Sequence, residues 1–263
     1  MNKEDFKKIA YPETYADEIK LHNIFTYMRK EDPVTWVEPD QYRPFWAITK
    51  HEDIIEIEKQ NDLFINDPRT TLMDIPTEDA IKEFTGGSHL LVRSLVHMDN
   101  PDHQAYRSLT QKWFAPPNLE SLKKDIREIA QEYIQKMMEY GNECDFAKDV
   151  AIFYPLRVIM SILGVPKEDE PKMLRLTQEL FGGRDEDMIR DTDETSPESN
   201  TITDFFEYFT NLTEERRKQP TEDVASVIAN AKINDEPLGH LEAMSYYVII
   251  ATAGHDTTSS STA

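Results

Sequence analysis

One cysteine, Cys144, occurs in 263 residues. An internal disulfide is therefore excluded, and so is a zinc site built from several thiolates. No run approaches the ~20 apolar residues that a membrane span needs. The first ten residues, MNKEDFKKIA, contain no apolar stretch of the signal-peptide kind, so the expected location is the cytoplasm. Positive charge is scarce: 29 Lys and Arg stand against 50 Asp and Glu, a net charge of −21. Such a chain repels phosphate backbones, which argues against a nucleic-acid partner. Internal repeats are absent, as are flavin and nucleotide motifs.

Apolar material is ample. The chain is 39% hydrophobic, with Trp36, Trp46, Trp113, twelve Phe and eleven Tyr. That excludes a solvated coil and allows one large domain or two smaller ones. VTWV (34–37) and FWAIT (45–49) are β-rich runs around EPDQYRP and predict a small hairpin. Thr49 with Glu52 reads as a capping box opening a helix over 50–60. Residues 66–98 read as loop, with Gly86-Gly87.

Helices then dominate. Pro101 is expected in the first turn of a helix running to Phe114 and stopping before Pro116-Pro117. Leu119, Leu122, Ile126, Ile129 and Tyr133 recur at three and four residues, an amphipathic helix to Tyr140. Residues 149–163 are apolar nearly all round and predict a buried helix. Further helices are expected over 171–181, along the stripe Ile202, Phe205, Phe206, Phe209, Leu212, over 222–231, and from Leu238 onward. Residues 182–200, GGRDEDMIRDTDETSPESN, are acidic and turn-rich, fitting a surface loop or a lid over a ligand cavity.

The last helix carries the most specific signal. Leu241, Met244, Tyr247, Val248 and Ala251 keep helical spacing with apolar faces between them. Gly254 then weakens the helix by about 1 kcal/mol relative to alanine. Asp256 brings a charge that must be paired or hydrated. Thr257 and Thr258 are able to bond back to the preceding turn and bend it. This pattern fits either another body lying against the helix, or a helix that surfaces with Asp256 capping a new turn.

AGHDTT, from Ala253 to Thr258, resembles the distal-helix motif of the cytochrome P-450 superfamily, the haem-thiolate monooxygenases. HMDNPDHQAYRSLTQKWFAP, residues 97–116, resembles the segment by which soluble bacterial members approach the haem propionates. The order of elements agrees along the whole chain. ECDF, YPLRVIMSILGVP, DEPKMLRLTQELFG and YYVIIATAGHDTTSSS look most like bacterial hydroxylases of monoterpenoid alcohols.

The resemblance implies a mainly α fold with a small N-terminal β hairpin and a bound haem. It implies that Ala253 and Gly254 let the haem approach the helix. Asp256 and Thr257 match the acid–alcohol pair that holds water and relays protons for oxygen activation. His103 and Arg107, four apart on one helix face, match the propionate-binding pair. The implied partners are dioxygen, a small hydrophobic substrate and a ferredoxin- or flavodoxin-type electron donor. Residues 66–98 and 171–212 would line or cover the substrate pocket.

One departure is plain. The family's cysteine ligand loop and its Glu-x-x-Arg helix have no counterpart among residues 1–263, and Cys144 lacks the loop's glycines and phenylalanine. No iron ligand is therefore expected in this chain, which on this reading is the N-terminal part of a single P-450 domain, inactive alone. Cys144 is expected to be a small buried structural residue. Two other readings stand beside this one. His97, Asp99, Asp102 and His103 could form a non-haem iron site. The chain could also be a non-catalytic, acidic helical binding module.

Overall fold

The computed structural model describes residues 3–141, 143–181 and 201–263. It falls into two compact units, one of residues up to Leu91 with Val96–Pro101, the other of Val92–Leu95 with Asp102–Ala263. The acidic segment 182–200, expected as loop or lid, lies outside the described residues.

The smaller unit opens with short helices α1 (Lys3–Lys7) and α2 (Pro12–Tyr15), followed by α3 (Glu18–Glu31). Asp17 caps α3 by accepting from the Lys20 amide at 3.0 Å. The expected hairpin forms from β1 (Val34–Val37) and β2 (Phe45–Ile48), antiparallel, with Trp36 opposite Trp46. Thr35 and Val37 turn inward, while Val34 and Trp36 face out. Phe6, Ile9, Ile24, Met28, Val37 and Ala47 close this core.

Helix α4 (His51–Glu58) follows, but without the expected capping box. The Thr49 hydroxyl donates instead to the Pro33 carbonyl at 3.1 Å, which the Thr49 amide also bonds at 3.0 Å. The residue therefore closes the hairpin, and Lys50 precedes the helix with no side-chain cap. Residues 66–98 also differ from expectation, because they contain α5 (Ile75–Thr85). Asp74 caps it at the Thr77 amide, 2.9 Å away, and Pro76 sits where no amide hydrogen is needed. Gly86 ends it at φ 72°, a conformation open to glycine at little cost.

Glu78 of α5 ties this region together. Its side chain is only 5% exposed, yet Arg43 Nε, Arg69 Nη2 and His89 Nδ1 each lie 2.7 Å from it and Lys82 Nζ lies 3.0 Å away. A lone buried carboxylate would be costly; four donors hold this one ionised. The Arg69 hydrogen bond leads in holding its carboxyl far below the usual carboxylate range, against the opposing effect of burial.

The larger unit contains α6 (Asp102–Gln111), α7 (Pro116–Glu139), α8 (Phe153–Leu163), α9 (Glu170–Phe181), α10 (Thr201–Lys218) and α11 (Val224–Ala229). A minimal hairpin of β3 (Lys232–Ile233) and β4 (Glu236–Pro237) leads to α12 (His240–Ala253) and α13 (Asp256–Thr262). Pro101 stands one residue before α6, after a cis bond to Asn100, rather than inside its first turn. Pro116 and Pro117 start α7, as well as ending what precedes it. The helix expected over 149–163 is two pieces, a π-helical turn at Ala147–Ala151 and then α8. Pro155 has no amide hydrogen, so the ladder back to Ala151 cannot form there.

Cys144 is exposed, not buried as expected. It lies in the short connection after α7, where the carboxylates of Asp145 and Asp149 cap the local amides and the core is out of reach.

The core of this unit surrounds α12. Met244 and Tyr247 have no exposed surface, and α8, α10 and α11 pack on the helix. Tyr247 stacks on Phe209 with ring centroids 4.7 Å apart and planes 2° from parallel. Its hydroxyl donates to the Ala225 carbonyl at 3.0 Å and accepts from Thr213 at 3.1 Å. Burial pushes that phenol up to about 12. No helix among the described residues is long and apolar enough to cross a membrane.

Glu78→Gln should destabilise the smaller unit by about 2–3 kcal/mol, less than a fully enclosed pair because its arginines remain partly hydrated. A denaturant midpoint equal to the parent's would show that the carboxylate does not hold these cations. The pH sign follows from the depressed pKa. The contribution is present above the ordinary glutamate value of about 4.3 and disappears as pH falls toward the folded value.

Candidate functional site

The residues singled out in the sequence lie on α6 and around the junction of α12 with α13. A buried tyrosine joins these elements. The Tyr246 hydroxyl lies 2.8 Å from Thr110 Oγ1 and 3.3 Å from the Tyr106 carbonyl. Both partners belong to α6, so one phenol holds that helix against α12. A second tie runs from the Arg93 amide to Ser245 Oγ at 3.0 Å.

On α6, His103 is half-buried and Arg107 is exposed. Among the described residues no carboxylate pairs with the Arg107 guanidinium, although acids outnumber bases by 50 to 29 in this chain. Nearby Arg93 is engaged, 2.6 Å from the Asp102 carboxylate.

The helix breaks between Ala253 and Asp256. His255 N–H reaches the Thr252 carbonyl, three residues back, at 3.2 Å. The Thr257 hydroxyl donates to the Ala253 carbonyl at 2.7 Å. Thr252, Ser259, Ser261 and Thr262 bond backward in the same way, each four residues. The backward bond expected of Thr257 is thus present, but Asp256 does not cap the new turn: His255 precedes α13 with no side-chain cap, and Asp256 is its first residue.

The two sides of the break differ. Ala253, Asp256 and Thr257 are exposed, which places the Asp256 side chain in water. Thr252, His255 and Ser259 are buried. Gly254 is half-buried, and a Cβ there would meet Ile159 Cδ1 at 2.1 Å. Its missing side chain therefore admits α8 on the buried side, while Ala253 presents the small surface on the open side.

His255 was only a spacer within AGHDTT when read in sequence. In the structure it is 4% exposed, with Nδ1 2.9 Å from Thr177 Oγ1 and Nε2 2.9 Å from the Ile152 carbonyl. Burial lowers its pKa against smaller raising effects from the Ile152 bond and Asp256. The only signal available was a histidine one helical turn from Ala251 and Thr252, on the apolar side.

The non-haem iron reading loses its ligands to other tasks. Asp99 accepts from the amides of Asn66 and Asp67 at 2.9 Å each, and Asp102 pairs with Arg93. Among the described residues no three His, Cys, Asp or Glu side chains converge as a metal site. Two grooves of the larger unit, about 770 and 610 Å³, are walled by residues of α7, α8 and α9 and include none of the six candidate residues.

This arrangement of helices and minimal hairpins is shared with solved cytochromes P-450. CYP108D1 from Novosphingobium aromaticivorans superposes with a TM-score of 0.83 at 43% identity, over 98% of this chain and 61% of that one. Among curated proteins, cytochrome P-450-terp of a Pseudomonas species is 40% identical across 97% of this chain, and linalool 8-monooxygenase of Pseudomonas putida 26% identical across 99%. The chain belongs to the cytochrome P-450 family. It spans 61% and 62% of the length of those two relatives. No family model matches the sequence.

The residues present fit the haem that defines this family. An exposed arginine without a carboxylate partner and a half-buried histidine share one face of α6. An open face bearing Ala253 leaves room beside the break, and no large side chain of residues 253–257 crosses it.

The lowered pKa of His255 gives a stability prediction. Its folded value lies below the ordinary 6.5, so the unfolded chain binds more protons near and below that pH. Stability should fall as pH drops from 7 to 5. His255→Gln, which cannot titrate, should show a shallower fall in denaturation series at the two pH values. Equal slopes for variant and parent would remove His255 as the cause. Burial also lowers His97, which accounts for part of the slope that remains.

Proposed function

We propose that this protein is a haem-dependent monooxygenase. It hydroxylates a small hydrophobic substrate of the monoterpenoid-alcohol kind, with dioxygen and electrons from a ferredoxin- or flavodoxin-type donor. The observation that carries the reading is the helix break at which the Thr257 hydroxyl bonds the Ala253 carbonyl beside an exposed Asp256. The names of the relatives, cytochrome P-450-terp and linalool 8-monooxygenase, support the substrate class. On this reading the 263 residues are part of one P-450 domain, and they span 61% of the length of cytochrome P-450-terp.

When bound, haem supplies the activation of oxygen and the attack on a C–H bond. The chain's own residues supply position and protons. Arg107 and His103 would hold the haem carboxylates, Arg107 through a planar fork that matches carboxylate oxygens. Ala253 keeps the facing helix surface small, while Gly254 acts behind it by letting α8 pack close. With its hydrogen bond donated to the Ala253 carbonyl, the Thr257 hydroxyl has lone pairs left to accept from water. The Asp256 carboxylate is exposed beside it and takes protons from solvent. Together they form a short path along which a proton moves from bulk water to the open face.

The reduced carbon monoxide spectrum of the full-length protein tests the cofactor assignment. A Soret band typical of thiolate-ligated haem is expected, and its absence overturns the reading. In the same holoenzyme, Thr257→Ala should lower product formed per electron and raise peroxide release. A positioned proton transfer is worth about 10²–10⁴-fold, and water filling the vacancy keeps the loss near the lower end. Parent-like coupling in Thr257→Ala removes the relay role.

A further inference from the structure

Residues 253–257 need an anchor, because the helix ladder lapses there. Gly254 has no side chain. The hydroxyl of Thr257 bonds only locally, to Ala253. Ala253, Asp256 and Thr257 are exposed. Of these five residues His255 is the one whose side chain is hydrogen-bonded to other helices of the described structure. Its Nε2 meets the Ile152 carbonyl, where the π-helical turn gives way to α8, and its Nδ1 meets Thr177 of α9, both at 2.9 Å. Its backbone is held as well. The amide bonds Thr252, while the carbonyl accepts from the amide and the hydroxyl of Ser259 at 2.8 and 2.9 Å.

We propose that His255 is a positioning residue for the proton path, a strut that sets the break by pinning its buried side to α8 and α9. This goes beyond the functional reading above and rests on it for its catalytic consequence. The hydrogen-bond chemistry fixes the form of the ring. A carbonyl only accepts, so Nε2 carries the hydrogen that goes to Ile152. In the neutral ring Nδ1 is then an acceptor, and the Thr177 hydroxyl must supply the proton. That hydroxyl also donates to the Leu174 carbonyl at 2.9 Å, so its one hydrogen is shared between the carbonyl and the ring.

The geometry explains why a ring on the buried side matters to the open side. Residues 252, 255 and 259 lie one turn apart on one face, and 253, 256 and 257 share the other. Rotation of the break about the helix axis moves both faces together. Loss of the strut leaves the Ala253 carbonyl and the Thr257 hydroxyl free to shift. Misplacement of about an ångström costs as much as ~10²-fold in a reaction that depends on alignment.

Three variants of the full-length holoenzyme separate positioning from simple stability. His255→Leu keeps the bulk and removes both bonds. His255→Gln restores an N–H toward Ile152. Thr177→Val removes the second contact without touching the break. Peroxide released per electron should rise about tenfold in His255→Leu, with substrate affinity within about twofold of the parent. His255→Gln should recover most of the coupling, and Thr177→Val should fall between. Amide hydrogen exchange across 252–259 should order the variants the same way, and it needs no turnover. Parent-like coupling and exchange in His255→Leu overturn the proposal. If that variant does not fold, Thr177→Val with parent-like values does so. Should the parent protein take up no haem, the functional reading fails, while the exchange series still decides whether His255 holds the break.

Discussion

From Ala243 to Val248 every residue of α12 is buried, so this stretch of the helix has no face to offer water. Its burial needs neighbours all round, which α8, α10 and α11 supply, with α6 tied on through Tyr246. Hydrophobic contact alone is not directional, so it would leave the helix free to rotate among those neighbours. The two tyrosines remove that freedom. Tyr246 reaches Thr110 and Tyr106, and Tyr247 reaches Ala225 and Thr213. Adjacent residues on a helix point about 100° apart, so two hydroxyl anchors in different directions define its rotation. The order of the larger unit follows from that enclosure.

At its end the same helix changes character without leaving its place. Its buried side continues through Thr252, His255 and Ser259, while the open side carries Ala253, Asp256 and Thr257. Polar side chains on the buried side are bonded to protein, while on the open side Thr257 bonds back to the Ala253 carbonyl and the Asp256 carboxylate is exposed. A charge that would be expensive in the core is inexpensive here, because the break turns Asp256 outward. The smaller unit meets the opposite problem, an acid that is enclosed, and answers it with Arg43, Arg69, Lys82 and His89 around Glu78.

Much of this was legible in sequence where periodicity is long. The stripes from Leu119 to Tyr133 and from Ile202 to Leu212, and the apolar run before Ala253, appear as α7, α10 and α12. Short elements were harder. Helix α5 is eleven residues long and carries Glu78 on its inner side, so its buried face did not look apolar. Its signals were Asp74, Pro76 and Gly86, a cap at each end. Thr49 and Glu52 showed the reverse failure: the right residue types for a cap, with the threonine drawn away by the hairpin. Pro155 hid the π-helical turn inside an even apolar run. Cys144 followed a general preference of its residue type instead of its own polar surroundings. His255 escaped notice because what it touches, Thr177 and Ile152, lies 78 and 103 positions away.

The contact between Gly254 and Ile159 has a consequence for how this structure tolerates change. A methyl group at 254 would sit 2.1 Å from the Ile159 side chain, so the two positions occupy one volume between them. Neither site evolves freely. A larger residue at 254 requires the Ile159 side chain to turn away or position 159 to become smaller, and a smaller residue at 159 opens a cavity unless 254 grows. The pair should therefore drift together, and the space behind the break can be exchanged between two helices without altering the surface that the break displays.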